Sequence, residues 1–370
     1  MNERDHRCAE RAATVTCNRF FILTILIVLV LAALSGCVIS PRRNVGGSPS
    51  PTPSPTGSPV PGAAGKLYVS NQSGNSILRF DNALTASGDT PPSATISGSN
   101  TGLNEPQFLA LDPAADRLFV ANLGGSSVLI WDSISTLNGN IGPTRTIGPS
   151  SGLIAPVAVA LDSVRDLLYV ADGTQGEVLV FSPASTAGSN SAPSRALVIS
   201  GASLGGIAID SANDRLYVSD SISNAIGIFD NASKLNGTVS SNRAITGANT
   251  GLQGPAGLTL DLSGDLVVAN GGNGNLGSIT VYSNAATVNG NAQPIVTIAG
   301  GNTDLSAPGQ VILNPANGAN EIYVADSTAN AVNTFSGVNS SGGNITPARS
   351  ISGGTTTFNG PRGIALDTTR

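Results

Sequence analysis

From residue 67 to the C-terminus, short apolar runs alternate with turns rich in glycine, asparagine and serine. One phrase recurs about every fifty residues: an aliphatic residue, usually Tyr, then Val, Ala or Ser, and finally Asp or Asn. Its six copies end at Asn71, Asn122, Asp172, Asp220, Asn270 and Asp326. A fixed period of this length indicates a repeat architecture, in which each unit stacks against its neighbours.

Each repeat contains four strand signals, here called A to D, and the phrase above is strand B. Strand A is built from small apolar residues and ends at Asp112, Asp162, Asp210, Asp261, Asn314 and Asp367. Strand C ends on an aromatic residue, at Phe80, Trp131, Phe181, Phe229, Tyr282 and Phe335. Strand D is shorter and more polar, and the long loop before it often contains an Asn-Gly pair, which is typical of a turn.

This pattern predicts an all-β, six-bladed propeller with four strands per blade. Small residues suit strands that converge on an axis, and aromatic residues suit the wider gaps further out. The repeats begin at strand B (Leu67) and end at strand A (Asp367). The C-terminal strand is therefore expected to complete the first blade and close the ring. The alternative, an open array, would leave apolar faces and strand edges bare at both ends.

The phrase Leu-Tyr-Val-Ala-Asp, followed after three residues by Asn and then Val or Ile, resembles the NHL-repeat family of six-bladed propellers. The segments 220–224 and 326–330 show it best, and the resemblance extends over residues 67 to 367. Members of that family include protein- and RNA-binding modules, lyases and sensor domains. The resemblance therefore implies the fold and leaves the function open.

The N-terminal region predicts export and lipid anchoring. An apolar run, Phe20 to Leu34, is too short to cross a bilayer core as a helix. It leads directly into Leu34-Ser35-Gly36-Cys37, which resembles the lipobox of bacterial lipoproteins. The resemblance implies cleavage before Cys37 and acylation of its thiol. Val38 implies the outer membrane in a bacterium with two membranes. The alternative is an uncleaved anchor helix.

The predicted domains are a signal peptide (1–36), a lipidated linker rich in Pro, Ser and Gly (37–65) and the propeller (66–370). The alternating prolines of the linker favour an extended stalk.

Composition excludes several function classes. Charged residues are 11 % of the chain, the net charge is −5, and there is no basic cluster, so nucleic-acid binding is not expected. The single histidine and two of the three cysteines (Cys8 and Cys17) precede the predicted cleavage site. Ser-His-Asp catalysis, Cys-His catalysis and histidine-ligated zinc are thus excluded from the mature chain. We expect no cofactor and no resident metal.

Candidate ligand contacts lie where strand A begins, at the mouth of the central channel. The six equivalent positions are Gln107, Val157, Gly205, Ala256, Gly309 and Arg362. Only Arg362 and Gln107 break the apolar symmetry, and they are expected to be neighbours from blades 1 and 2. We predict that they contact a small ligand or a peptide carboxylate, unless Arg362 pairs with an acid or faces solvent. The recurring Asp/Asn at the end of strand B is expected to cap its own B–C turn rather than bind ligand.

The sequence favours a monomeric, non-catalytic binding module for a protein, peptide or glycan. One alternative is a calcium-dependent lactonase of the gluconolactonase type. A calcium ion prefers oxygen ligands, and the six strand A positions above supply no carboxylate. The other alternative is a structural protein of the cell envelope or surface.

Overall fold

The computed structural model describes residues 64–272, 276–316 and 318–370. These residues belong to the compact unit Pro53–Arg370, whereas the unit Met1–Thr52 lies outside them. The predicted signal peptide, Cys37 and nearly all of the linker therefore lie outside the described residues. No helix among the described residues is both long and apolar enough to cross a membrane.

The described chain forms six antiparallel sheets, each a blade with strand order A-B-C-D. Blade 1 contains β25 (Pro361–Asp367), β1 (Lys66–Asn71), β2 (Ser76–Asp81) and β3 (Ala94–Ser97). Blade 2 contains β4 (Pro106–Asp112), β5 (Arg117–Asn122), β6 (Ser127–Asp132) and β7 (Arg145–Ile147). Blade 3 contains β8 (Pro156–Asp162), β9 (Leu167–Asp172), β10 (Glu177–Phe181) and β11 (Arg195–Val198).

Blade 4 contains β12 (Leu204–Asp210), β13 (Arg215–Asp220), β14 (Ala225–Asp230) and β16 (Arg243–Ile245). Blade 5 contains β17 (Pro255–Leu260), β18 (Leu266–Asn270), β19 (Ser278–Tyr282) and β20 (Val296–Ala299). Blade 6 contains β21 (Pro308–Asn314), β22 (Glu321–Asp326), β23 (Ala331–Phe335) and β24 (Arg349–Ser352). A two-residue strand, β15 (Gly237–Thr238), adds in parallel to β11. Short 3-10 turns lie at Leu123–Gly125, Ile134–Thr136, Pro149–Ser151, Ala184–Thr186, Ala232–Lys234 and Gly354–Thr356.

The C-terminal strand closes the ring, which confirms the prediction. β25 pairs antiparallel with β1, from Lys66 opposite Asp367 to Val69 opposite Ile364. Strand A of each blade contacts strand A of the next, and the last of these contacts joins β21 to β25. The chain is therefore a six-bladed propeller, and its first and last segments share one sheet.

The core consists of the apolar layers between neighbouring blades. All six predicted strand C aromatics are buried, with at most 1 % of their surface exposed. One inter-blade layer, for example, joins Phe119 and Ile130 of blade 2 to Leu168 and Phe181 of blade 3. The interpretation of the aromatics as core residues is confirmed.

Near the axis the blades meet backbone to backbone. A Cβ on Gly206 would lie 2.4 Å from the carbonyl oxygen of Ala256, and one on Gly363 would lie 2.3 Å from that of Gln107. Two buried hydroxyls reinforce this contact. Ser70 donates to the Gln107 carbonyl (2.6 Å) and Ser219 to the Ala256 carbonyl (2.7 Å), each linking its blade to the next. Small residues in strand A are thus required by the closeness of the inner strands.

The ring of Asp and Asn side chains at the end of strand B matches the prediction only in part. Each side chain accepts a backbone N–H from the loop that enters strand A of its own blade, as Asn122 does from Asn104 (2.7 Å). Asp220 and Asp326 additionally accept N–H groups of their own B–C turns. The prediction that each side chain caps its own B–C turn is therefore confirmed at Asp220 and Asp326. At Asn71, Asn122, Asp172 and Asn270 the backbone donors come from the loop before strand A instead, because strand B ends beside the start of strand A.

The C–D loops, three of which contain an Asn-Gly pair, also contact the neighbouring blade. At five of the six junctions, a glycine of one blade's loop forms a parallel bridge to strand D of the preceding blade. These glycines are Gly88, Gly139, Gly237, Gly290 and Gly343, with φ between 70° and 91°. An asparagine precedes three of these glycines, at Asn138, Asn236 and Asn289, and its side chain accepts a backbone N–H of the same strand, as Asn138 does from Thr95. The loops therefore cover outer strand edges that would otherwise be free to pair with other chains.

Candidate functional site: the mouth of the central channel

A cavity of about 320 Å³ opens where the A strands begin. Blades 1 to 5 contribute residues from the start of strand A, and loops of neighbouring blades complete its wall. Its main lining residues are Gln107, Phe108, Val157, Gly205, Ala256 and Arg362. Five of the six strand A positions named from the sequence therefore meet here. Arg362 and Gln107 both line this cavity, and their contact with a ligand stays a prediction.

The side chain of Arg362 is the cation at this mouth, and it is not paired with an acidic residue of the described chain. Within the described chain its guanidinium has neither a hydrogen bond nor an ion pair, and its carbon lies 5.9 Å from the centre of the Phe108 ring. Burial lowers the pKa of Arg362, and the charge of Asp326 opposes that effect. The oxygens of Asp326 already accept four backbone N–H groups, from Ser306, Ala307, Thr328 and Ala329. A guanidinium stays protonated in such surroundings, so the cavity holds a positive charge that is not ion-paired with any described residue.

Gln107 is held in place by its own loop and by blade 1. Only 5 % of its surface is exposed. Its side-chain nitrogen donates to the carbonyl of Glu105 (3.2 Å), and its main-chain carbonyl accepts from Ser70 (2.6 Å). Its side-chain oxygen accepts no hydrogen bond from the described residues. The amide therefore offers a fixed acceptor close to the cationic Arg362.

Two further side chains of strand A, which the sequence analysis overlooked, link blades close to the axis. Phe108 is 3 % exposed and packs with Ala158 and Ala256 of other blades. Gln310 of blade 6 accepts the N–H groups of Leu109 (2.9 Å) and Ile364 (3.0 Å) and donates to the Leu109 carbonyl (2.8 Å). It thereby satisfies inner strand edges of blades 1 and 2.

The sequence does contain a signal for Phe108 and Gln310. They occupy the strand A position directly after the one represented by Gln107 and Gly309. The equivalent residues of the other blades are only glycine or alanine: Ala158, Gly206, Gly257 and Gly363. A large side chain at this position breaks the symmetry, as Arg362 and Gln107 do at the preceding one.

The chemistry available at the mouth is recognition of an anion. None of the described residues lining the cavity is acidic, and no group of three or more His, Cys, Asp or Glu among residues 64–272, 276–316 and 318–370 could hold a metal ion. A guanidinium supplies planar paired donors that match a carboxylate. A cavity of about 320 Å³ limits the ligand to a small group or to the end of a longer chain.

Comparisons with known proteins support the fold. Neither protein-family models nor curated protein sequences give a match to this chain. Among solved structures, a chain of a nidogen/laminin complex has a TM-score of 0.58 and 17 % identity, covering 83 % of this chain and 99 % of its own length. A putative 6-phosphogluconolactonase from Bacteroides uniformis has a TM-score of 0.53 and 15 % identity, covering 81 % of this chain and 84 % of its own. At such identities the similarity extends to the propeller fold and not to an activity.

Proposed function

We propose that the propeller is a non-catalytic binding module that captures a small carboxylate, or the carboxylate end of a peptide, at the channel mouth. The observation that carries this proposal is Arg362, a cation inside a 320 Å³ cavity without an acidic partner among the described residues. Arg362 is half-buried, and a charge partly withdrawn from water costs free energy unless it is paired. A ligand carboxylate would supply that pair, while Phe108 supports the other face of the guanidinium (5.9 Å).

The proposal includes the export signal and the family resemblance. We infer an NHL-type propeller on a lipoprotein tether, anchored to the cell envelope through Cys37. The support is the lipobox-like Leu34-Ser35-Gly36-Cys37 after an apolar run, followed by a proline-rich stalk. Two or three acyl chains on one cysteine give stable anchoring where one chain does not.

Binding of small carboxylates tests the role of Arg362. Titration calorimetry of residues 61 to 370 with acetate, succinate and a short peptide should give saturable heats. The amide analogues of the same compounds should bind at least tenfold more weakly, a difference of about 1.4 kcal/mol. The variant Arg362→Gln should lose affinity by a similar factor. Equal affinity of acids and amides, or unchanged binding in Arg362→Gln, would remove the basis of the proposal.

A matched control comes from the same C-terminal segment. Arg370 lies beyond the opposite end of β25 and pairs with Asp116 (3.1 Å) and Asp367 (3.0 Å). Arg370→Gln removes the same charge without touching the cavity, and it should leave carboxylate binding unchanged. A matching loss in this control would indicate a general electrostatic effect rather than a site.

Lipid anchoring is tested in cells. A clickable fatty acid should label the full chain, and Cys37→Ser should lose both the label and membrane association. A Cys37→Ser protein that keeps the label would show acylation at another residue, and one that is unlabelled but still membrane-bound would indicate the uncleaved helix instead.

The calcium-dependent lactonase is the second candidate, favoured by the propeller fold shared with a putative 6-phosphogluconolactonase. The absence of carboxylates from the described lining of the mouth favours simple binding over it. Melting of residues 61 to 370 in calcium and in chelator separates the two. A ligand at about 100 times its dissociation constant adds about 2.7 kcal/mol to the native state, so calcium binding would raise the melting temperature clearly. We expect no difference.

A further inference from the structure

In five blades the loop entering strand A places a large apolar side chain beside strand C, and in blades 1 to 3 it forms an apolar pair with a leucine at the centre of strand C, whereas blades 5 and 6 have Thr280 and Asn333 there. The five loop side chains are Leu103, Leu153, Leu252, Leu305 and Phe358. In the pairs of blades 2 and 3, Leu129 lies beside Leu103 and Leu179 beside Leu153. In blade 1 the pair is Phe358 and Leu78, and the ring of Phe358 lies 5.5 Å from that of Phe80.

Blade 4 lacks both members of the pair. The loop before β12, residues 199–203, is three or four residues shorter than its equivalents, and its hydrophobic residues that pack against the core are Ile199 and Ala202. The centre of strand C holds Gly227, where blades 1 to 3 otherwise have leucine. A cavity of about 330 Å³ occupies this place between blades 3 and 4. Two independent departures from the repeat thus coincide at one cavity, here called the blade-4 cleft.

The blade-4 cleft has an apolar floor and a hydroxyl-bearing rim. Ile199, Val218 and Phe229 form part of the floor. The phenyl ring of Phe229 contacts Gly227, and a Cβ on that glycine would lie only 2.9 Å from the ring. The rim carries the hydroxyls of Ser200, Thr238, Ser240 and Ser241, all on exposed residues.

The ionisable group lining the cleft already accepts hydrogen bonds from the backbone. It is Asp220, and one of its carboxylate oxygens accepts the N–H groups of Ser203 (3.2 Å), Ile222 (3.2 Å) and Ser223 (3.1 Å). A carboxylate committed to three backbone donors does not call for a cation in the cleft. The lining is therefore suited to an uncharged ligand.

We propose that the blade-4 cleft binds an uncharged, mainly apolar small molecule with a hydroxyl group at one end. The two missing side chains set its size at about eight to ten non-hydrogen atoms, and the cavity volume lies at the lower end of the range for ligand pockets. The apolar body replaces the absent leucine pair against Phe229 and Val218. The hydroxyl group faces the serine rim, where it stays hydrogen-bonded.

The probe that tests this is 2-phenylethanol, which matches the predicted size and polarity. Titration into methyl-labelled protein should shift the signals of Ile199, Val218 and Val239 saturably. Phenylacetate, its charged analogue, should affect the same methyl groups at least tenfold more weakly. Absence of a saturable shift at these residues, or equal binding of phenylacetate there, overturns the proposal.

Two filling variants and one control make the test specific. Gly227→Leu restores the strand C leucine, and Ala202→Leu fills the cleft from the loop without requiring Phe229 to move. Each should weaken 2-phenylethanol binding at least tenfold, and the loop variant decides the question if the first does not fold. Arg362→Gln should leave this binding unchanged, since the cleft is separate from the channel mouth. Wild-type affinity in Ala202→Leu contradicts the proposal.

Discussion

The closeness of the inner strands predicts that one methyl group on Gly363 strongly destabilises the ring. An alanine Cβ there would lie 2.3 Å from the Gln107 carbonyl oxygen, 2.7 Å from the Phe108 Cα and 2.8 Å from the Ser70 hydroxyl. Favourable contacts between non-bonded carbons lie at about 3.5–4.0 Å, so blades 1 and 2 must separate by about 1 Å. Two of these three atoms belong to the backbone, which cannot rotate away.

The expected cost of Gly363→Ala is about 3 kcal/mol. Overpacking alone costs about 1–3 kcal/mol, and the separation also stretches the 2.6 Å hydrogen bond from Ser70 to Gln107. With an unfolding entropy of about 2.1 cal/mol/K per residue over roughly 305 residues, this lowers the melting temperature by about 5 °C. The assay is thermal unfolding followed by the emission of Trp131, the single tryptophan, which is fully buried.

Gly354→Ala is the matched control for Gly363→Ala. A Cβ on Gly354 meets no atom within 4 Å, and its φ lies outside the left-handed region. Alanine there should be neutral or stabilise by up to about 1 kcal/mol, because it restricts the unfolded chain. Equal melting temperatures for the two variants would show that the inner strands are not in backbone contact, and would refute this account of the axis.

Two further predictions concern the outer strands and acid stability. Ser189 occupies the position of the bridging glycines at the junction of blades 2 and 3, and no described residue there accepts a hydrogen bond from the Thr146 N–H. We expect this N–H to exchange with solvent faster than the Thr95 N–H, which Asn138 caps, and the double variant Gly188→Asn/Ser189→Gly to slow the exchange. Equal exchange rates would count against the bridging role of the loops. Hydrogen bonds from Arg243, and then from Arg215, lower the pKa of Asp230 to about 2 despite the opposing effect of its partial burial. Because the folded pKa is below the unfolded value of 3.8, this stabilisation is present above about pH 4 and is lost as the pH falls towards 2. This stabilisation amounts to about 1 kcal/mol after allowance for solvent screening. In Asp230→Asn the melting temperature should therefore fall less steeply between about pH 4 and pH 2 than in the wild type. The same steepness in both proteins would contradict this prediction.

The fold followed from the sequence because every blade repeats the same physical requirements. Small residues in strand A, an aromatic residue at the end of strand C and a chain that begins at strand B together predict six blades and closure by β25. These signals are local and occur six times, so the departures in single blades did not obscure them.

The candidate site was predicted only in part. Arg362 and Gln107 stood out as polar residues among apolar equivalents, whereas Phe108 and Gln310 lie one position later and were missed. The hydrogen bonds of Gln310 reach residues 54 and 201 positions away in the chain. No local pattern predicts such contacts, since they depend on how six blades meet at the axis.

Dependence on tertiary packing also explains why the structure differs from the predictions for two sets of loop residues, the asparagines of the C–D loops and the Asp/Asn residues at the end of strand B. The Asn138 turn caps a strand of the neighbouring blade, 43 residues upstream. The Asn122 side chain reaches back 18 residues to the loop before its own strand A. In both cases the residue type predicted a hydrogen bond to backbone, but its partner is set by tertiary packing.

The most direct test of the central claim is the side-chain N–H signal of Arg362 in protein with ¹⁵N-labelled arginine. We predict that a small carboxylate shifts this signal saturably, while chloride at equal ionic strength does not and the signals of Arg145 and Arg370 stay in place. Assignment follows from loss of the signal in Arg362→Gln. A signal of Arg362 that does not respond to any carboxylate up to high concentration would contradict the claim that the channel mouth is an anion-binding site.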